Sequence, residues 1–113
     1  MDRDLNDRLF RFVISAAKFL REIKNSPETS VFKYQLTKAS SSSGANYEEA
    51  QAGVSKADFK NKIGISLKEM REANYWTRIF KELEIGDKEQ CAYLVKESEE
   101  LKRILGAIAS KLK

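Results

Sequence analysis

Between residues 3 and 24, Leu5, Leu9, Phe12, Val13, Ala16, Leu20 and Ile23 recur at spacings of three and four, the period of a helix with one apolar face. Arg3, Asp7, Arg11, Lys18 and Arg21 line the opposite ridge. Asn25-Ser26-Pro27 interrupts the pattern. Ser26 is placed to cap a second helix and Pro27 to take its first position, where a missing N–H leaves nothing unpaired.

The second segment, 27–53, uses Val31, Tyr34, Leu36, Ala39, Tyr47 and Ala50 and passes through a run of four serines and a glycine, Ser40 to Gly44. Such a run often makes a flexible loop. Its flanks keep helical character, and small residues let two helices approach closely, so the reading adopted is a continuous helix with a thin waist, weakened near Gly44.

Ser55-Lys56-Ala57-Asp58 is a capping box, and Val54 and Phe59 hold the two positions of a hydrophobic staple. The third helix, 56–84, then carries two seams. Phe59, Ile63, Ser66, Met70, Ala73, Thr77 and Phe80 form one; Ile65, Trp76, Ile79 and Leu83 form a second on another face. Gly86 ends this helix, and Asp87-x-x-Gln90 opens a fourth over 88–112. Its face is Cys91, Leu94, Val95, Ser98, Leu101, Leu105, Ile108 and Leu112, with acids in its first half and lysines and Arg103 later, as the helix dipole favours.

Four such helices with short links must run up and down against one another, because a few residues cannot carry the chain back along a helix more than about 30 Å long. The expected fold is all-α, an antiparallel up-and-down four-helix bundle forming one domain over 1–113. One seam per helix suffices for that bundle. The second seam on helix 3, and the spread of Phe10 and Phe19 to either side of helix 1, imply more apolar surface than one chain buries. Self-association through Phe10, Phe19, Ile65, Trp76, Ile79 and Leu83 is therefore expected.

Composition narrows the chemistry. The chain has 113 residues, no His and one Cys, so serine and cysteine hydrolase dyads built on His, His-containing zinc sites and the Glu-x-x-His di-iron motif are all excluded. Cys91 cannot form an intrachain disulfide, which suits a reducing compartment. With no run of about 18 apolar residues and three aspartates near the start, the expected location is the cytoplasm. There is no G-x-G-x-x-G or P-loop sequence, so no nucleotide cofactor is expected. Glu48, Glu49, Glu69 and Glu72 are better explained as partners of Lys56, Lys60 or Lys62 than as metal or acid–base groups.

The net charge is +4, and residues 1–81 hold fifteen basic against ten acidic side chains. On helix 3, Lys60, Lys68, Arg71 and Arg78 fall on one side, with Gly64 and Tyr75 among them and Glu82 at the end. Such a stripe can follow a phosphate backbone, with Tyr75 available for stacking; a solvated charged face is the plainer alternative. Copies arranged around a ring would sum their fields.

Gln35-Leu36-Thr37-Lys38-Ala39, Ser42, Asn46-Tyr47-Glu48-Glu49-Ala50, Ser55-Lys56-Ala57-Asp58-Phe59 and Lys62 through Glu69 together resemble the bacterial four-helix-bundle proteins encoded in 23S rRNA intervening sequences, also called ribosomal-protein-like. A related branch is the accessory variability protein of diversity-generating retroelements. The order and spacing of these segments carry the resemblance, which spans essentially the whole chain. Lys38-Ala39 stands where members have Arg-Ala, Ser42-Ser43-Gly44 where they have Ser-Ile-Pro, and Asn46-Tyr47-Glu48-Glu49-Ala50 where Asn-Ile-Ala-Glu-Gly is usual. The missing proline favours a continuous helix. The resemblance implies a homopentamer without enzyme activity, associated with RNA or DNA, with the ribosome or with a reverse transcriptase. The alternative is a protein-interaction scaffold for such a partner that does not itself touch nucleic acid.

Overall fold

A computed structural model describes residues 2–53 and 55–113, and the chain forms four α-helices: α1 (Asp2–Arg21), α2 (Pro27–Gln51), α3 (Lys56–Glu82) and α4 (Lys88–Lys111). Each of the last three opens on a capping side chain. Ser26 Oγ accepts from the Thr29 N–H at 3.1 Å and the Ser26 N–H donates to Thr29 Oγ1 at 2.7 Å, a reciprocal box. Ser55 Oγ accepts from the Asp58 N–H at 3.1 Å and Asp87 Oδ1 from the Gln90 N–H at 2.8 Å. The complete box thus sits at Ser26-x-x-Thr29, where the sequence suggests only a cap. At Ser55 and Asp87 the serine and aspartate side chains cap their helices, as expected. The Val54 half of the staple lies outside the described residues.

α2 runs unbroken through the serine tract, and the tract is where it comes nearest to α3. Ser43 Oγ donates to the Ser66 carbonyl and Ser66 Oγ to the Ser43 carbonyl, both at 2.8 Å, with the hydroxyl oxygens 3.2 Å apart. A side-chain hydroxyl reaches a carbonyl on a facing helix only if the two backbones nearly touch. Both serines are fully buried, so each bond replaces lost hydration and contributes about 1 kcal/mol net.

The helices pack in the order α1, α2, α3, α4 around a ring, α1 closing on α4, and the diagonal pair α1 and α3 meets through side chains, Phe19 against Phe80. The contacts between α2 and α3 and between α3 and α4 are the most extensive. Lys62 on Glu49 and Phe32 beside Trp76 extend the Ser43–Ser66 register antiparallel along α2 and α3. The predicted first seam of α3 is the buried one, Phe59 being half-buried. The α2 face differs from expectation. Val31 and Tyr34 point outward, and Thr29, Leu36, Ala39, Ser40, Ser43, Tyr47 and Ala50 point inward. Small residues line the inner face where Ser43 meets Ser66, while Leu36 and Tyr47 fill the core on either side of it.

Between α3 and α4 the core is polar at its centre. Asn74 Nδ2 donates to Ser98 Oγ at 3.0 Å, Thr77 Oγ1 lies 3.3 Å from the same hydroxyl, and the Cys91 thiol reaches the Thr77 carbonyl at 3.7 Å. No buried side-chain nitrogen or oxygen among the described residues lacks a partner. Across the remaining seam, Arg8 of α1 grips Glu97 of α4 through Nε and Nη2 at 2.9 and 2.7 Å and also reaches Glu100. This fork joins the pair of adjacent helices that otherwise touch least.

At one end Phe80 receives the edge of Phe19 at 5.4 Å and meets Phe32 at 6.0 Å. The chain then turns in two left-handed residues. Glu84 (φ 56°) closes α3 by donating its N–H to the Lys81 carbonyl while the Ile85 N–H reaches the Phe80 carbonyl, a Schellman motif at a cost of about 1 kcal/mol for a side chain in that region. α3 therefore stops before the Gly86 that the sequence offers as its end. Gly86 (φ 85°) instead lies against α1, where a Cβ would come within 2.6 Å of Phe19 Cε1 and 2.9 Å of Ile23 Cδ1. α1 likewise ends at Arg21 rather than 24, with Ile23 folded back into the core and Lys33 Nζ donating to its carbonyl.

Two consequences can be measured by chemical denaturation. Ser43→Ala should cost about 1 kcal/mol, one hydrogen bond, whereas Ser43→Leu should cost about 3 kcal/mol or more because α2 must move off α3. Gly86→Ala should lose at least about 2 kcal/mol through strain and overlap with Phe19, and an Ala variant as stable as the parent would refute that packing.

Candidate nucleic-acid and assembly surfaces

The backbone of α3 brings Lys60, Lys68, Arg71, Tyr75 and Arg78 to solvent along one edge. No carboxylate lies within ion-pair distance of the four cations among the described residues. Arg78 is nonetheless held: its Nε donates to Asn74 Oδ1 at 3.0 Å, and its guanidinium lies 5.8 Å from the centre of the Tyr75 ring. Tyr75 in turn meets Trp76 at 5.2 Å, nearly perpendicular.

The edge faces α4. Asn74 Nδ2 reaches the Val95 carbonyl at 3.4 Å, and a Cβ on Gly106 would lie 4.0 Å from Leu67 Cδ1. Glu99 and Lys102 fall between Val95 and Gly106 at helical spacing on the same side of α4. Lys102 and Arg103 both bind Glu99, at 3.1 and 3.4 Å, so three charges there leave one net positive. The basic surface therefore spans two helices. Sequence reasoning confined to each helix misses the α4 share, because only the register of α3 against α4 brings it alongside. Gly64, with nothing within 4 Å of a Cβ built on it, leaves the upper part of the edge low.

The apolar positions divide differently from expectation. Phe19 is 1% exposed and packs on Phe80 inside the bundle; it belongs to the core and has no surface to offer a second chain. Its angle on α1, read in isolation, hides that Phe80 of α3 and the Gly86 turn close over it. Trp76 is half-buried, 5.9 Å from Phe32, with Nε1 donating to Glu72 at 3.3 Å. Ile65 and Ile79 are also half-buried. Phe10 (66%) and Leu83 (51%) stand well out, and they are joined by Ile14, which the sequence does not single out, and by Val31 and Tyr34, expected on the apolar face of α2. Phe10 and Val13 border a shallow groove between α1 and α2 whose other wall is Ser41, Gly44 and Ala45.

Of the four carboxylates expected to pair with lysines, Glu49 does so, Glu48 accepts from Asn6 and Glu72 from Trp76, and Glu69 makes no ion pair among the described residues. Glu49 binds Lys62 at 2.9 Å, and that hydrogen bond raises the Lys62 ammonium above its usual pKa. Hydrogen bonding to Glu97 likewise holds Arg8 more firmly protonated than usual, against the opposing effect of burial. Burial pushes the Cys91 thiol upward, away from a reactive thiolate. Among the described residues no group of three or more His, Cys, Asp or Glu is arranged to hold a metal ion. No helix among them is long and apolar enough to cross a membrane.

Residues 2–107 match the family described as 23S rRNA-intervening sequence protein. The crystal structure of a protein of unknown function from the S23 ribosomal protein family of Bacteroides thetaiotaomicron VPI-5482 superposes with a TM-score of 0.84 at 29% identity, covering 96% of this chain and 97% of that one. No curated protein matches the chain. Neither description names an enzymatic activity. A match over nearly the whole length, on the same bundle, places the chain in the 23S rRNA-intervening sequence protein family.

Proposed function

We propose that the chain is a non-enzymatic, cytoplasmic, homo-oligomeric bundle, pentameric by resemblance, that binds RNA or other nucleic acid through the basic edge of α3 and its α4 extension. The observation that carries this reading is the contrast between cations. Arg8 and Lys62 sit on carboxylates of neighbouring helices, whereas Lys60, Lys68, Arg71 and Arg78 share one exposed edge with no acidic partner among the described residues. A row of exposed cations with no acidic partner attracts a polyanion. In a ring, copies of that edge act together on one strand.

A second reading is favoured by the exposed Phe10, Ile14, Val31, Tyr34 and Leu83. In it the chain is a scaffold that joins copies of itself to a reverse transcriptase or ribosomal component, with the basic edge merely solvated. Phe10 with Ile14 on α1 and Val31 with Tyr34 on α2 are exposed pairs at helical spacing, and they support assembly under either reading.

Binding to RNA and DNA, single- and double-stranded, should be measured by anisotropy across salt concentrations. Tight binding at low salt is expected, and reversing Lys60, Lys68, Arg71 and Arg78 to Glu should weaken it and reduce the salt slope by roughly 0.7–0.9 for each phosphate that is no longer neutralised. No binding at low salt, or an unchanged slope, would favour the scaffold. By sedimentation, Phe10→Ser with Leu83→Ser should lower the assembled mass toward one chain while leaving helicity intact; a parent that is already monomeric would refute assembly.

A further inference from the structure

We infer that Arg78 and Tyr75 form a preset stacking and phosphate-binding element that makes the basic edge select an unpaired strand over a duplex, an inference that rests on the nucleic-acid reading above. The element is anchored from within. Asn74 is 1% exposed, and its amide nitrogen is taken up by Ser98 Oγ at 3.0 Å and the Val95 carbonyl at 3.4 Å of α4. That fixes the amide plane and leaves Oδ1 to receive Arg78 Nε at 3.0 Å. With Nε committed, the guanidinium lies over the Tyr75 ring at 5.8 Å. Tyr75 is braced by Trp76 at 5.2 Å, and Trp76 by Phe32 at 5.9 Å. One long cationic side chain is thus oriented by a buried amide on one side and an aromatic chain from the core on the other.

The remaining cations of the edge are different in kind. Lys60, Lys68 and Arg71 make no side-chain hydrogen bond or ion pair among the described residues. Lys60 and Lys68 are point charges on flexible stems and Arg71 is a fork that no neighbour among those residues orients, so all three suit any phosphate, whatever its strand. Arg78 offers the N–H groups of Nη1 and Nη2, which bond to no acceptor among the described residues, in a fixed fork suited to two phosphate oxygens. Beside that fork lie the half-exposed phenol ring of Tyr75 and the guanidinium plane, flat surfaces on which a nucleobase stacks. A duplex keeps its base faces inside the stack, so only an unpaired strand can use both halves of the element.

Labelled RNA of about twelve nucleotides, within the usual range for such sites, is titrated as a single strand and as the matching duplex, with the full chain and at several salt concentrations. The parent should prefer the strand. Arg78→Lys keeps the charge but loses the fork and the plane; it should weaken strand binding about fivefold or more, leave duplex binding within about twofold, and leave the salt slope unchanged. Tyr75→Leu should show the same selectivity. Lys68→Gln should weaken both forms alike and lower both slopes. Equal effects of Arg78→Lys on strand and duplex, no effect on either, or a parent that prefers the duplex would overturn the inference while leaving the basic edge as a binding surface. A parent that binds neither form would overturn the nucleic-acid reading itself. Circular dichroism of each variant checks the bundle; Tyr75 is exposed, and Arg78→Lys takes the Nε donor from Asn74 Oδ1 while the Asn74 amide nitrogen stays on Ser98 and Val95.

Discussion

The near-contact of α2 and α3 at Ser43 and Ser66 governs much of this bundle. Two hydroxyls that each reach the opposite backbone hold the two helices in close approach, and the consequences spread along both. The inner face of α2 must be small there, which is why Ala39, Ser40 and Ser43 line it between the buried Leu36 and Tyr47. Farther along, large groups such as Phe32, Trp76 and Phe80 fill the wider end. The serine tract, which looks like a linker by composition, is the tightest part of the fold. Serine weakens a helix in isolation by competing for backbone bonds, so this segment is helical because tertiary contact overrides local preference.

How much was legible depended on whether a feature was local. The seam on α3 was readable because every member repeats on one face of one helix, and the caps at Ser26, Ser55 and Asp87 because they act within four residues. The fold class followed from four such segments. Features set by register between helices were not readable. Arg8 and Glu97 are 89 residues apart, and nothing in the local pattern of either predicts the fork. Asn74, polar and fully buried, looks like a surface residue until Ser98 and Val95 are placed opposite it. Phe19 was misjudged because its burial comes from α3 and from the Gly86 turn, elements distant in sequence. The same limit applied to the candidate site: the α3 edge was visible as a stripe, but its α4 half and the tether on Arg78 exist only once α3 and α4 are in register.

The polar layer between α3 and α4 links stability to surface chemistry. Asn74, Thr77 and Ser98 satisfy one another in a site where an unpaired group would cost about 1–3 kcal/mol. Asn74 has one oxygen left after that exchange, and it accepts from an exposed arginine. The core therefore sets the position of a group in the solvent. Lys62, Lys102 and Arg103 are placed instead by ion pairs at the surface, which solvent and salt loosen.

The aromatic line from Phe19 through Phe80 and Phe32 to Trp76 and Tyr75 has an optical consequence. Trp76 is the one tryptophan in the chain, half-buried, with its indole N–H on Glu72 and its ring between a core phenylalanine and the exposed Tyr75. Its emission is thus a single-site signal from the junction of interior and basic edge, excited in part by energy passed from the adjoining phenol. Loss of packing would shift its colour toward that of water-exposed indole, whereas a base laid on Tyr75 would quench it without such a shift. One native residue can in this way distinguish unfolding from occupancy, with no label attached.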